Sequence, residues 1–287
     1  MEQILITGSN GQLGKSFERI SKDYPNYNLI YTDIEELDIT DKNAIKNCLS
    51  DISIKIIINC AAYTAVDKAE EDHDQAMKIN ATAAGYLAQI AADKNIPLVH
   101  ISTDYVFNGK NYLPYNETDP TNPDSKYGHS KLAGEKEIIK YANKAVIIRT
   151  SWLYSEFGHN FLKTMLKYGK EREELRVVYD QIGSPTYARD LAHTIFEILP
   201  KIMDQSNKIE IYHYGNEGAI SWYDFAKAIM EISGTTCNVF PIETKDYPLP
   251  AARPHYSVLN KKKIKDTFGL EIPYWKDSLI DCINNLK

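Results

Sequence analysis

The sequence predicts an α/β protein, a Rossmann-type doubly wound parallel sheet with a smaller, partly interleaved C-terminal lobe. Apolar strand-like runs alternate with helical patterns through the first half of the chain. A glycine-rich turn separates the first strand from the first helix, and beyond Thr150 the alternation loosens while prolines accumulate.

In order, Ile4–Thr7 reads as a strand and Gln12–Ser21 as a helix, followed by a strand at Leu29–Thr32. Asp41 is placed to cap a helix reaching about Leu49. Lys55–Cys60 contains Ile56, Ile57 and Ile58, a continuous apolar run that suits a strand covered on both faces. A long helical pattern spans Gln75–Asp93, then Pro97–Ser102 is a strand, Ser130–Tyr141 a helix core and Ala145–Arg149 a strand. Right-handed crossovers turn this alternation into a doubly wound sheet. Past Thr150, helices are expected over Asn160–Lys170 and Ala188–Leu199, with strands at Val177–Val178 and Ile209–His213. Ser221 and Asp224 have capping-box spacing before a helix to about Ile232. Pro241, Pro248, Pro250 and Pro254 mark a loop-rich stretch, and Trp275–Leu286 fits a last helix. The expected division is a dinucleotide-binding unit over 1–150 with a return of about 186–213, and a substrate lobe over 151–185 and 214–287.

With 287 residues, 43% hydrophobic and 25% charged, the chain can bury a core without a metal or disulfide staple. Its net charge of -6 argues against a nucleic-acid backbone as partner. The basic run Lys261, Lys262, Lys263 and Lys265 is expected to be a solvated helix start. Four cysteines form no CxxC pair, the N-terminus lacks a signal-peptide pattern, and no apolar run is long enough for a membrane span. Cytoplasmic residence with reduced thiols is the expectation.

Gly8, Gly11 and Gly14 form a G-x-x-G-x-x-G turn after the first strand and at the mouth of the first helix. Glycines there let the backbone turn tightly and approach a pyrophosphate, whose charge faces the helix N-terminus. Gly11, Gln12 and Leu13 open that helix. Asp33 ends the second strand, 19 residues after Gly14, where a carboxylate accepts from ribose hydroxyls and repels a 2′-phosphate. NADH is therefore favoured over NADPH, with Lys15 and Arg19 near enough to offset that preference. Asp38 and Ile39 are candidates for the adenine region, and Ala62, Tyr63 and Thr64 follow the third strand at the edge where such sheets bind ligands.

A reductase that delivers a hydride to a carbonyl carbon must also place a proton on the oxygen. A tyrosine does so if a neighbouring cation lowers its pKa from about 10. Tyr127 and Lys131, four apart on one helix face, have the spacing. Tyr223 and Lys227 share it but lack a strand just before them, so Tyr223 is assigned to packing. Thr103, at the end of the strand before Tyr127, is placed to polarise the substrate oxygen, and Asp104 to bind a substrate hydroxyl. Lys131 is also a candidate for the nicotinamide ribose, and no nucleophile elbow supports hydrolysis.

These residues together resemble the extended short-chain dehydrogenase/reductases. Within them, Asn80–Thr82, Ser102–Phe107, Tyr127–Glu135, Arg149–Trp152, Asn160–Phe161, Asp180–Thr186 and Ala252–Pro254 look like the dTDP-4-dehydrorhamnose reductases over nearly the whole chain. The resemblance implies reduction of dTDP-4-dehydro-β-L-rhamnose to dTDP-β-L-rhamnose by NADH or NADPH, the last step in making that sugar nucleotide. It implies Thr103, Tyr127 and Lys131 as the catalytic set, and Thr103, Asp104 and Trp152 against the sugar nucleotide. Arg253 is a candidate for the diphosphate, because a guanidinium matches phosphate geometry. Some relatives are described as holding Mg²⁺ through glutamates at a dimer interface. Lys15 stands where one such acid is expected, so no metal is predicted, and a homodimer is left open.

Three other functions fit less well. A nucleotide-sugar 4,6-dehydratase carries Thr-Asp-Glu where this chain has Thr103, Asp104 and Tyr105, so the base for elimination is missing. An epimerase or another reductase of the superfamily shares the Thr, Tyr and Lys roles, but the longer strings argue against it. A non-catalytic NAD(P)-binding subunit, such as the regulatory subunit of methionine adenosyltransferase that resembles this family, need not retain all of Thr103, Tyr127, Lys131 and the glycine turn.

Overall fold

A computed structural model describes residues 1–50, 53–204 and 207–286. Strand β1 (Glu2–Thr7) carries Ile4, Leu5 and Ile6, all fully buried, since alternate side chains enter apolar layers on both faces of the sheet. It leads through the glycine turn to α1 (Gln12–Ile20), then β2 (Tyr27–Thr32). Asp41 caps α2 (Lys42–Cys48) by accepting from the amides of Asn43 and Ala44. After β3 (Ile54–Asn59) the chain forms α3 (His73–Met77) and α4 (Ala83–Asp93). Periodicity predicts one continuous helix there, but a π turn at Lys78–Thr82 interrupts it and leaves Asn80 buried. Next come β4 (Leu98–Thr103), α5 (Lys126–Tyr141), which Ser125 caps, and β5 (Ala145–Thr150).

The remainder holds β6 (Leu153–Tyr154), α6 (Phe161–Glu171), β7 (Glu174–Val178), β8 (Ile182–Gly183) and β9 (Thr186–Tyr187). Helix α7 (Ala188–Asp204) runs through Pro200, where the sequence predicts a stop. Proline costs a helix interior about 3 kcal/mol. Ile195, Ile198, Leu199 and Ile202 offset it, because each is buried against the sheet and such burial contributes about 1.5–3 kcal/mol per side chain. Strand β10 (Ile209–Tyr214) follows, then β11 (Ile220–Ser221) and α8 (Trp222–Ser233), opened by the Ser221–Asp224 capping box. The sequence places Pro241 in a loop, but it lies in β12 (Asn238–Ile242), which pairs with β7 in a two-stranded sheet where an edge position tolerates the missing N–H. Helices α9 (Lys262–Phe268) and α10 (Trp275–Asn285) complete the chain.

The expected solvated basic run is corrected at Lys261, which is 7% exposed and paired with Glu217 at 3.3 Å. Lys265 pairs with the same carboxylate and Lys263 with Glu210 of β10, both partly exposed, while Lys262 is exposed as expected and pairs with Asp266 on its own helix.

Six strands form one parallel sheet in the order β10-β5-β4-β3-β1-β2. The chain moves from β1 to β2 on one side and to β3 on the other, so the crevice at the carboxyl ends of β1 and β3 is the topological switch point. One apolar layer joins Ile4, Ile6, Ile56 and Ile58 to α1, α7 and α9, with Phe17 and Phe196 edge-on at 5.1 Å. The opposite layer joins Leu5, Ile57 and Ile147 to α2, α4 and α5. Ile264 and Phe268 of α9 join the first layer, from within the 214–287 stretch assigned by sequence to the second lobe. A third cluster packs α6, α8 and α10 with β7 and β12.

Candidate active site

At the switch point, Gly8 has φ +67, and a Cβ there would lie 2.5 Å from the Ala61 backbone. A side chain at Gly14 would meet Ser9 backbone at 2.5 Å, so this turn requires glycine at both positions. Gly11 N-caps α1 with no side-chain acceptor on the first amides, and no acidic residue lies in the first turn. That arrangement fits the pyrophosphate of a dinucleotide, drawn by aligned N–H groups. Leu13 is buried in the core and has only backbone to offer a ligand. Gln12 reaches across to the second lobe: its Oε1 accepts from Asn160 Nδ2 at 2.9 Å and from Ser155 Oγ at 3.1 Å.

Asp33 lies beside the turn at the end of β2. Its Oδ2 accepts the Asn10 amide and its Oδ1 the Ile34 amide, both at 2.8 Å. Asp38 accepts the Thr40 amide at 2.8 Å, which holds its carboxyl below the ordinary aspartate range. Ile39 is buried with Leu5 and Leu37, so its side chain serves the core. The loop after β3 carries Ala62, Tyr63 and exposed Thr64. Asn80 accepts from the Tyr63 amide and donates to its carbonyl, at 2.8 and 3.0 Å, and also donates to Ser130 on α5. The π turn thus joins this loop to the helix of Tyr127 and Lys131.

Thr103 and Asp104 close the end of β4. The Thr103 hydroxyl donates to Asp104 Oδ1 at 3.0 Å and accepts the Tyr105 amide. Burial raises the Asp104 carboxyl to about 7, against opposing hydrogen bonds from Thr103 and Ser257. Tyr127 is buried beside them, with the Tyr105 ring edge-on at 5.5 Å. Burial also drives its phenol above the ordinary tyrosine range, the Thr103 hydroxyl pulling the other way. This corrects the expectation of a phenol lowered by Lys131. The lysine nitrogen instead donates to the Ile101 carbonyl at 2.6 Å, and burial lowers its own pKa to about 8. Lys131 is 2% exposed, whereas Lys227 of the second Y-x-x-x-K spacing is exposed, and Tyr223 packs against the third cluster.

Trp152 has φ +49, a strained value for a bulky residue. Its indole stacks on Trp222 with centroids 3.5 Å apart, and a Cβ at Gly183 would intrude on the ring at 2.5 Å. Arg253 lines a cleft with Tyr105, Phe107, Asn108 and Ser125. Its guanidinium donates to Asp67 at 2.6 Å, and Asp67 also accepts the Ala251 amide, fastening the 251–253 segment to the loop after β3.

Sequence reasoning assigned no role to Asn59, His100, Asp67, Asn80 or Glu135. Thr7 and Asn59 each end an apolar strand with a polar residue, and this was the available signal. Register then places Thr7 opposite Asn59, and Asn59 opposite His100, as a buried polar row beneath the site. Glu135 is tied to Arg149 of β5 and accepts from Ser102 at 2.6 Å.

The family described as RmlD substrate binding domain matches residues 1–287. A dTDP-4-dehydrorhamnose reductase from Aggregatibacter actinomycetemcomitans is 41% identical, covering 97% of both chains. The enzyme of that name from Escherichia coli is 38% identical, covering 99% of this chain and 97% of its own. Among solved structures, a dTDP-4-dehydrorhamnose reductase from Clostridium acetobutylicum superposes with TM-score 0.94 at 42% identity, covering 99% of each chain. One from Bacillus anthracis in complex with NADP gives 0.92 at 40% identity, again over 99% of each. A dTDP-glucose 4,6-dehydratase and a UDP-galactose 4-epimerase, at 18% and 17% identity, share the fold.

Proposed function

The chain belongs to the dTDP-4-dehydrorhamnose reductase family, and from that premise we propose that it reduces the C4 carbonyl of dTDP-4-dehydro-β-L-rhamnose to give dTDP-β-L-rhamnose. The observation that carries the assignment to this site is Tyr127 within hydrogen-bond reach of Thr103 at the carboxyl end of β4, with the Lys131 nitrogen one helical turn on, at the Ile101 carbonyl of the same strand.

A bound reduced nicotinamide supplies the hydride. Amides of Gly11, Gln12 and Leu13 would hold its pyrophosphate, Asp33 its adenosine ribose, and the loop of Ala62, Tyr63 and Thr64 its nicotinamide half. Asp38 and the Ile39 backbone would border the adenine. The Asp33 carboxylate disfavours a 2′-phosphate, so NADH is the preferred reductant of the two. Thr103 holds the substrate carbonyl oxygen, and Tyr127 gives it a proton. Burial keeps that phenol protonated until the oxygen takes on negative charge, which suits a donor. Lys131, held at the Ile101 carbonyl one helical turn on from Tyr127, then gives a proton back to the tyrosinate that remains. Asp104, able to donate or accept near neutral pH, binds a sugar hydroxyl, and Trp152 packs against the sugar nucleotide. Arg253 meets the diphosphate by exchanging its Asp67 contact for phosphate oxygens.

Among the described residues no helix is long and apolar enough to cross a membrane. A cytoplasmic site of action fits a route that uses nicotinamide and sugar nucleotide together. The test is direct: mix the protein with the 4-keto sugar nucleotide and either reduced cofactor, and follow loss of reduced-nicotinamide absorbance. Turnover with formation of dTDP-rhamnose is the expected result. Cofactor and substrate binding without turnover would refute a catalytic role.

A further inference from the structure

Beneath the site runs a buried chain of hydrogen bonds whose directions are fixed from one end. It starts at the Ala61 amide, which can only donate, and donates to Asn59 Oδ1 at 3.1 Å. Thr7 Oγ1 donates to the same oxygen at 2.7 Å. With the Asn59 oxygen so fixed, its Nδ2 is the atom 2.9 Å from His100 Nδ1. An amide nitrogen donates, so Nδ1 must accept. A neutral imidazole that accepts at Nδ1 carries its proton on Nε2. That nitrogen lies 3.4 Å from Lys131 Nζ.

We propose that His100 is a positioning residue for Lys131: its tautomer, set from Asn59, turns an N–H toward the lysine nitrogen and favours the amine over the ammonium. An amine in that position is satisfied, its lone pair accepting from His100 while it donates to the Ile101 carbonyl. An ammonium has no lone pair, so one of its N–H groups is left facing another N–H in a buried place. Thr7, Asn59, His100 and Lys131 are each at most 2% exposed, so water does little to relieve that conflict.

The surrounding charges leave the histidine its influence. His100 from β4 and Cys60 beyond β3 face the lysine, with Tyr127 one turn back and Glu135 one turn on along α5. Burial pushes the Cys60 thiol up, so it stays neutral, and the Glu135 charge is matched by Arg149. His100 is held neutral, well below its ordinary range, by burial and by the lysine itself. The consequence bears on the proton donor proposed above and rests on that assignment. A lysine poised between amine and ammonium near the working pH can return a proton to the tyrosinate, whereas a tightly held ammonium cannot.

The experiment uses the full chain labelled for nitrogen and carbon NMR. In the wild type, His100 is expected as a neutral ring with its proton on Nε2 from about pH 6 to about pH 9. A proton on Nδ1, or a charged ring in that window, would overturn the proposal. In Asn59→Asp the carboxylate has no N–H to offer, so the His100 proton should move to Nδ1. Persistence on Nε2 would count against Asn59 as the control. In His100→Leu no N–H remains opposite the lysine nitrogen and the amine loses its donor, so the titration of the Lys131 Cε signal should move up by about one pH unit, the size of one hydrogen bond lost by the uncharged form. An unmoved titration would remove His100 from the role. The alkaline limb of kcat/KM should rise with it. If the lysine signal moves while that limb does not, His100 still governs Lys131, and it is the chemical assignment of Lys131 that fails.

Discussion

Glu135 grips the Arg149 guanidinium at two points, Oε1 to Nε at 2.9 Å and Oε2 to Nη2 at 2.7 Å, and both side chains are nearly sealed from solvent. The pair bolts α5 to β5 one helical turn beyond Lys131, so it fixes where the lysine and Tyr127 stand on the sheet edge. Glu135→Gln leaves a guanidinium buried without its counter-charge, and breaking a buried pair this way costs roughly 3–5 kcal/mol. A clear drop in the denaturation midpoint is expected, together with a fall in kcat. A midpoint equal to that of the wild type would show that the pair does not hold the helix.

Asp33 has one structural role and one proposed role. It accepts the Asn10 amide inside the glycine turn and stands where the adenosine ribose is proposed to lie. Asp33→Ala should lower kcat/KM for NADH by about tenfold, the value of one charge-assisted hydrogen bond. The loss for NADPH should be smaller, since removing the carboxylate also removes its repulsion of the 2′-phosphate. Steady-state kinetics with both cofactors checks this, and an unaltered ratio would exclude Asp33 from choosing between them.

Asp104 gives a pH signature. Burial raises its carboxyl to about 7 in the folded protein, above the roughly 3.9 of an unfolded chain. The fold therefore binds this proton more tightly than the unfolded state does. The resulting stability is fully present below about pH 4 and is lost as pH rises through about pH 7, on the order of a few kcal/mol. Asp104→Asn imitates the neutral acid. Its thermal midpoint should fall less than that of the wild type between about pH 5 and about pH 8. Parallel pH profiles for the two proteins would contradict a buried, titrating Asp104.

Much of this was legible in the chain because it rests on local rules. The Ile56–Ile58 run, the Asp41 cap and the Ser221–Asp224 box each follow from one short stretch, and each appears where sequence places it. The glycine turn was readable because only glycine fits beside Ala61 and Ser9. What escaped depends on neighbours distant in sequence. Helix α7 continues through Pro200 because residues before and after it pack on the sheet. The lowering of Lys131, rather than of Tyr127, follows from burial that spacing alone does not reveal. The row of Thr7, Asn59 and His100 exists only once three strands are in register.

Everything proposed for the site turns on Tyr127 delivering the proton as hydride reaches C4. Tyr127→Phe keeps the ring and deletes the donor, so the measurement is its kcat on the 4-keto sugar nucleotide beside its affinity for reduced cofactor. A kcat lowered by about a hundredfold to ten-thousandfold with cofactor affinity nearly unchanged is the predicted result. Turnover within a few-fold of the wild type would contradict it and leave the site without its proton source.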